Sequence, residues 1–223
     1  MKNNRSNESS HKQLQLRKQL QLYVVTDERT NGDELLPIIR SAMHGGATAV
    51  QLRRKQELGR KFVELGREIR NMTKEYGVLF FVNDRVDVAM LVDADGVHIG
   101  QDDISCKDAR RLLPDKLIGV SADTIAEAVQ AEKDGADYLG VGAVYATNSK
   151  PDAGYTGIAG LRAIASAVQI PVVGIGGIGK EQVQETMGTG AAGIAVVSAV
   201  MSAKDPEAAA KDLLTRIHRS VHP

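Results

Sequence analysis

Gly135-Ala136-Asp137-Tyr138-Leu139-Gly140-Val141-Gly142-Ala143-Val144-Tyr145-Ala146-Thr147-Asn148-Ser149-Lys150 contains one whole structural unit. It opens on a glycine that stops a helix, because the chain must leave the helix through a left-handed conformation that glycine adopts without steric cost. A continuously apolar run follows at once. The run then ends in a polar cluster with two hydroxyls and a cation. Gly46-Ala47-Thr48-Ala49-Val50 and Gly190-Ala191-Ala192-Gly193-Ile194 repeat the opening, and Ala94-Asp95-Gly96-Val97 is a partial fourth copy.

Working outward from this unit, apolar β-rich runs fall at about 22–26, 49–53, 78–83, 96–100, 117–121, 138–144, 171–176 and 193–198. Segments of helical period separate them, around 33–44, 57–76, 85–92, 105–113, 124–134, 158–168, 179–188 and 205–218. Strand–helix alternation implies crossover connections and parallel strands. The strands are apolar throughout instead of alternating, so both faces are covered. Eight such units predict closure into a single α/β domain, a (β/α)8 TIM barrel over residues 21–223. The glycine turns then belong to the bottom of the barrel and serve stability, and the polar clusters belong to the catalytic face.

Composition narrows the function. The 223 residues are 43% hydrophobic, enough for one large domain, and the 28 basic residues balance 28 acidic ones. A neutral chain lacks a global field for nucleic acid or an anionic membrane, so any anion site is local. Trp is absent and aromatics are 4% of the chain, which argues against a base-stacking surface. No apolar stretch reaches the roughly 20 residues of a spanning helix, and no signal-peptide pattern opens the chain. Cys106 is the lone cysteine, so a cytoplasmic location is expected and Cys106 reads as a small packed hydrophobe.

Residues 1–20 form a basic extension, with Lys2, Arg5, Lys12, Arg17 and Lys18 against Glu8 for a net +4. The polar first ten are expected to lack structure. Leu14, Leu16, Leu20 and Leu22 suggest a short helix that plugs the barrel bottom, in preference to a basic arm for a partner.

The polar clusters suit a magnesium-bound diphosphate. Asp84 and Asp103 each precede a helix, where a carboxylate alone reads as a cap. As a pair beside Asn83 they read as ligands for magnesium, which takes one or two carboxylates with waters and phosphate oxygens. Asp87 and Asp102 are alternative ligands. Arg53, Lys55 and Lys150 at strand ends would hold diphosphate and its developing charge. Arg54 lies between the first two and alternates to the other side of the extended segment. Gly174-Ile175-Gly176-Gly177-Ile178-Gly179 matches GxGxxG, but it follows the seventh strand and lacks the acidic residue of a dinucleotide site. It reads instead as the phosphate site that barrels build after strands seven and eight, with Val197 and Ser198 as its other half. The loop 147–154 reads as a substrate clamp, and His98 as a packing histidine, not a base.

Gln51-Leu52-Arg53-x-Lys55, Asn83-Asp84-Arg85-Val86-Asp87, Gly96-Val97-His98-Ile99-Gly100-Gln101-Asp102-Asp103, Gly119-Val120-Ser121, Thr147-x-Ser149-Lys150 and Gly176-Gly177-Ile178 together resemble the thiamine phosphate synthase family over about residues 21–210. The resemblance implies a transferase that joins hydroxymethylpyrimidine diphosphate to hydroxyethylthiazole phosphate, or its carboxylated form, with Mg2+ as cofactor. It implies that Gln51, Arg53, Lys55, Asn83, Ser121 and Lys150 hold the pyrimidine diphosphate, with Arg53, Lys55, Ser121 and Lys150 catalytic. Asp84 and Asp103 would bind magnesium. Thr147, Ser149, Gly177, Val197 and Ser198 would hold the thiazole phosphate. The partners expected are these small molecules, with a homo-oligomer compatible and no nucleic acid or membrane. Two positions depart from the family: Arg54 stands where Glu is usual, and Ser149 replaces a threonine. The rival readings are a thiazole tautomerase-like barrel and a non-catalytic thiamine-phosphate binder.

Overall fold

The computed structural model describes residues 2–28, 30, 32–147 and 155–221. Its strands are β1 (Leu22–Val25), β2 (Ala49–Leu52), β3 (Leu79–Asn83), β4 (Gly96–Ile99), β5 (Leu117–Ser121), β6 (Tyr138–Val141), β7 (Val172–Ile175) and β8 (Gly193–Val196). They pair in chain order and β8 closes on β1, every pair parallel. Between and after them run α2 (Gly32–His44), α3 (Gly59–Tyr76), α4 (Val86–Leu91), α5 (Cys106–Leu112), α6 (Ile125–Lys133), α7 (Gly157–Ala167), α8 (Val183–Met187), α9 (Ser198–Met201) and α10 (Pro206–Val221). The expected TIM barrel is therefore the fold, and each strand and helix read from the sequence has its counterpart.

Two helical features go beyond the sequence reading. α1 spans Lys2–Gln19, a longer helix than the short one expected around the leucines. No glycine or proline interrupts that stretch, so nothing in it breaks a helix. At its end Leu16 and Leu20 are buried against Tyr23, Phe81, Val173 and Ala195, closing the N-terminal end of the barrel. The other addition is α9, a single turn directly after β8 that is too short for its period to register.

Each strand divides its side chains by parity. Leu22, Val24, Val50, Phe80, Val82, Val97, Ile118, Val120, Leu139 and Ile194 join the large core under the helices. Tyr23, Val25, Ala49, Phe81, Tyr138, Val173 and Ala195 fill the interior. The interior is narrow, so its rings stand opposite residues without side chains. A Cβ on Gly96 would come within 2.8 Å of the Phe81 ring, and one on Gly119 within 2.1 Å of Tyr138. Packing, not backbone conformation, demands glycine there.

The repeated turns serve stability as expected. Gly46, Gly135 and Gly190 all have positive φ (98°, 94° and 92°), and Asp93 takes the same role at 52° in the partial copy. The residue after each of Gly46, Asp93 and Gly135 donates back into the preceding helix: Ala47 N to Ala42 O, Ala94 N to Ala89 O and Ala136 N to Ala131 O. The next residue then caps the preceding strand. Thr48 Oγ1 accepts from Leu22 N at 3.0 Å, Asp95 Oδ2 from Phe80 N at 2.8 Å and Asp137 Oδ2 from Ile118 N at 2.7 Å. Both aspartates are met by an arginine, Arg70 at 2.7 Å and Arg110 at 2.5 Å. Arg110 also donates to the carbonyls of Leu113, Lys116 and Gly135.

Arg110→Ala removes the guanidinium from these carbonyls and from Asp137, at the end of the barrel away from the polar clusters. We expect a loss of about 2–3 kcal/mol in urea unfolding with turnover unchanged, and only partial recovery in Arg110→Lys, which lacks the planar fork.

Candidate active site

A cavity of about 830 Å³ opens at the C-terminal ends of the strands. Tyr23, Gln51, Asn83, His98, Ser121, Tyr138 and Val173 line it, together with Arg53, Thr147, Gly177, Val197 and Ser198 from the strand ends and loops. Eight of the residues picked from sequence thus share one cavity: Gln51, Arg53, Asn83, Ser121, Thr147, Gly177, Val197 and Ser198. Ser149 and Lys150 lie outside the described residues, as does the loop reading over 148–154.

Asp84, Asp103 and Lys55 form a cluster beside this cavity. Asp84 follows β3 with φ 61°, a left-handed conformation that Asp tolerates better than most residues. Its own N–H donates to His98 O at 2.8 Å, and Val86 N donates to its carbonyl, so the turn is held from both sides. Asp103 is tied down by Gly100 N, which donates to its Oδ2 at 2.7 Å. Burial and the facing Asp103 carboxylate raise the Asp84 carboxyl above its ordinary range, and Lys55, 3.5 Å away, opposes them. The two carboxylates therefore do face each other across adjacent loops. Asp87 does not join them, because Arg85 grips it with two bonds of 2.8 and 2.6 Å. Asp102 lines the cavity itself.

Arg54 alternates away from the cavity, as the extended segment requires. It is only 8% exposed, and its Nη1 donates to Asp27 O at 3.1 Å and Thr30 O at 2.8 Å. Around it the β1–α2 loop is stitched to the end of β2. Thr26 Oγ1 donates to Arg53 O, Arg53 N donates to Thr26 Oγ1, and Lys55 N donates to Glu28 Oε1. The departure at position 54 thus braces the loop carrying Asp27 and Glu28, both of which border the cavity. It adds no cation to the cavity wall.

On the far wall, Gly176 and Gly177 have φ of 96° and 67°. Side chains there would collide with the loop after β6: a Cβ on Gly176 would lie 2.7 Å from Ala143 Cα, and one on Gly177 2.6 Å from Ala146 O. The glycines let two strand ends close on one another and leave Gly177, Ile178, Val197 and Ser198 at the cavity surface. This is the place where barrels commonly seat a phosphate, and the GxGxxG match is a strand-seven loop, as its position implied.

Three residues were not picked from sequence. Tyr23 and Tyr138 lie within apolar runs and His98 reads as packing, yet all three line the cavity floor. His98 bonds Ser121 Oγ through Nε2 at 3.1 Å and Tyr138 Oη through Nδ1 at 3.0 Å. Strand parity is the signal that could have found them, since they share the inward parity with Gln51 and Ser121. Cys106 is buried, and its thiol is pushed up to about 11 by burial, which leaves it inert as a nucleophile at neutral pH. Among the described residues, no group of three or more His, Cys, Asp or Glu side chains could hold a metal ion by itself.

The family described as thiamine monophosphate synthase matches residues 22–200. A thiamine-phosphate synthase of Moorella thermoacetica is 52% identical over 205 residues, covering 91% of this chain and 98% of the relative. That of Chloroflexus aurantiacus is 53% identical over 194 residues, 86% of this chain and 90% of the relative. The solved structure of thiamine phosphate pyrophosphorylase from Pyrococcus furiosus superposes with a TM-score of 0.85 at 44% identity, over 92% of this chain and 99% of that one. No helix among the described residues is long and apolar enough to cross a membrane. A parallel barrel with these residues around one cavity, and close relatives spanning nearly its whole length, places the chain in the thiamine monophosphate synthase family of transferases.

Proposed function

We propose that the chain condenses hydroxymethylpyrimidine diphosphate with hydroxyethylthiazole phosphate, or its carboxylated form, to give thiamine phosphate and diphosphate. The observation that carries this reading is the pairing of Asp84 with Asp103, with Lys55 at 3.5 Å, beside a cavity that Gln51, Arg53, Asn83 and Ser121 share with Gly177, Val197 and Ser198. One side suits a diphosphate and the other a second phosphate, so two phosphorylated substrates can meet in one cavity.

The donor set fits magnesium. Burial and the facing Asp103 carboxylate raise the Asp84 carboxyl, and a hard cation held by the pair would offset that repulsion. Asp84 and Asp103 would hold the ion, since magnesium commonly takes one or two carboxylates alongside waters and substrate phosphate. When bound, the ion would neutralise charge on the departing diphosphate.

The chain's own residues would do the rest. Arg53 and Lys55 draw on the diphosphate oxygens as the bond to the pyrimidine methylene breaks. Lys150 carries the same role through the family resemblance. The aminopyrimidine stabilises the resulting cation, and the thiazole nitrogen attacks it. Ser121, Gln51 and Asn83 hold the ring. Gly177, Val197 and Ser198 hold the thiazole phosphate, with Thr147 and Ser149 as further hydroxyl donors. Electrostatic stabilisation of the leaving group is the main catalytic contribution, so no side-chain nucleophile is required.

Asp84→Asn keeps a residue that tolerates the left-handed turn and removes the charge. We expect turnover of the two substrates to fall about 10²–10³-fold with an unchanged circular dichroism spectrum. Product formation in wild type should also stop on adding a chelator. Turnover of the thiazole alone would favour a tautomerase instead, and tight thiamine phosphate binding without turnover a binder.

Magnesium and inorganic diphosphate together should raise the melting temperature of wild type. Ligand at about 100 times Kd adds about 2.7 kcal/mol to the native state. The shift should vanish in Asp84→Asn and Asp103→Asn, and a full shift in both variants would rule out the carboxylate pair as the ion's seat.

A further inference from the structure

Five inward side chains from five strands form one hydrogen-bonded line across the barrel. Gln51 Nε2 on β2 donates to Tyr23 Oη on β1 at 2.9 Å. Tyr23 Oη and Tyr138 Oη of β6 are 2.9 Å apart. Tyr138 Oη meets His98 Nδ1 of β4 at 3.0 Å, and His98 Nε2 meets Ser121 Oγ of β5 at 3.1 Å. The middle of the line is buried, with Tyr23 2% and Tyr138 0% exposed. Both ends reach the cavity.

The barrel makes room for this line. Gly119 lies between His98 and Tyr138 in the strand register. A Cβ there would lie 2.5 Å from His98 Nδ1 and 2.4 Å from Tyr138 Oη, in the path of their bond. A Cβ on Gly140 would lie 2.9 Å from His98 Cε1. Packing alone does not call for the hydroxyls, since phenylalanine at 23 and 138 would fill the same space with fewer polar groups to satisfy.

A phenol has one hydrogen, so the order of donors propagates along the line. Burial raises both phenols well above their ordinary range, so both stay protonated at neutral pH. Either phenol can donate in the Tyr23–Tyr138 bond, but Gln51 donation at one end would favour the order in which the Tyr23 hydrogen goes to Tyr138 and the Tyr138 hydrogen to Nδ1 of His98. In that order the imidazole would carry its proton on Nε2 and donate it to Ser121. Ser121 Oγ is left with its own hydrogen free to turn away from His98, towards the cavity. At the other end Gln51 keeps its carbonyl oxygen for a ligand. The two walls are therefore coupled: reversing one end would reverse the other.

We propose that Tyr23, Tyr138 and His98 are positioning residues that jointly set which hydrogen-bonding groups Gln51 and Ser121 present to an aminopyrimidine ring bound above them. The proposal rests on the synthase reading, which gives those two residues to the pyrimidine. An aminopyrimidine edge alternates an amine donor with ring-nitrogen acceptors, so a fixed donor order selects one orientation of the ring.

Tyr138→Phe cuts the line and keeps the ring. The KM for the pyrimidine diphosphate should rise about tenfold, while that for the thiazole phosphate stays within about twofold. Tyr23→Phe combined with Tyr138→Phe should be no worse than Tyr138→Phe alone, because a line cut once is already cut. Imidazole 15N shifts of His98 should report the Nε2–H tautomer in wild type and a mixture in Tyr138→Phe. Equal rises in both KM values, or unchanged KM values with an unchanged tautomer, would overturn the relay. Loss of all product formation by wild type would instead overturn the synthase reading, and the tautomer measurement would still decide the relay.

Discussion

Closure of eight parallel strands into a narrow cylinder is the constraint on which the rest of this structure depends. The interior holds only what fits between facing strands, so each large ring needs an empty place beside it. Gly96 gives way to Phe81, and Gly119 to Tyr138 and His98. Leu16 of α1 and Leu20 just after it close one end, where Gly193 admits the backbone of Leu20 and Gln21. The rings of Tyr23, Phe81 and Tyr138 pack with centroids 5.2–6.0 Å apart and form a solid floor. The depth of that floor sets where a ligand can sit.

Above the floor, polarity rises along the inward faces of β2 to β5, from Ala49 to Gln51, Phe81 to Asn83, Gly96 to His98 and Gly119 to Ser121, whereas β7 and β8 stay apolar. The apolar outer parity of each strand is satisfied by helices over the same length in which the inner parity passes from Phe81 to Asn83 and from Tyr138 to the open loop. Charged groups then gather only at the rim. Electrostatics divides in the same way between the two ends. Asp95 and Asp137 at the bottom each have an arginine and a strand N–H to satisfy them. Asp84 at the top is opposed by another carboxylate and is met by a half-exposed lysine. The bottom aspartates are satisfied by a strand N–H and an arginine, whereas burial and the facing carboxylate raise the Asp84 carboxyl and Lys55 opposes them.

Much of this was legible in the chain. Helix stops followed at once by apolar runs marked the strands, and Gly46, Gly135 and Gly190 carry the positive φ that reading required. The polar clusters converge on one cavity because parallel strands all deliver their ends to the same face. Other features were not legible. The docking of Leu16 and Leu20 needs a barrel end that exists only after closure. α9 is one turn long and has no period to detect. His98 sits in an apolar run, and only strand parity combined with the barrel's inward direction brings it to Ser121.

The sequence by itself determined the alternation of elements, their parallel arrangement and the residue types at each strand end, because these follow from local stops, burial on both faces and spacing along the chain. Only the tertiary structure decided which side chains meet. Arg54 is a brace for the β1–α2 loop because the carbonyls of Asp27 and Thr30 come within its reach across two strands. Tyr23, Tyr138, His98 and Ser121 become one line because four separate strands point them into the same narrow cylinder. Contacts of that kind join residues up to 115 positions apart, and no local pattern records them.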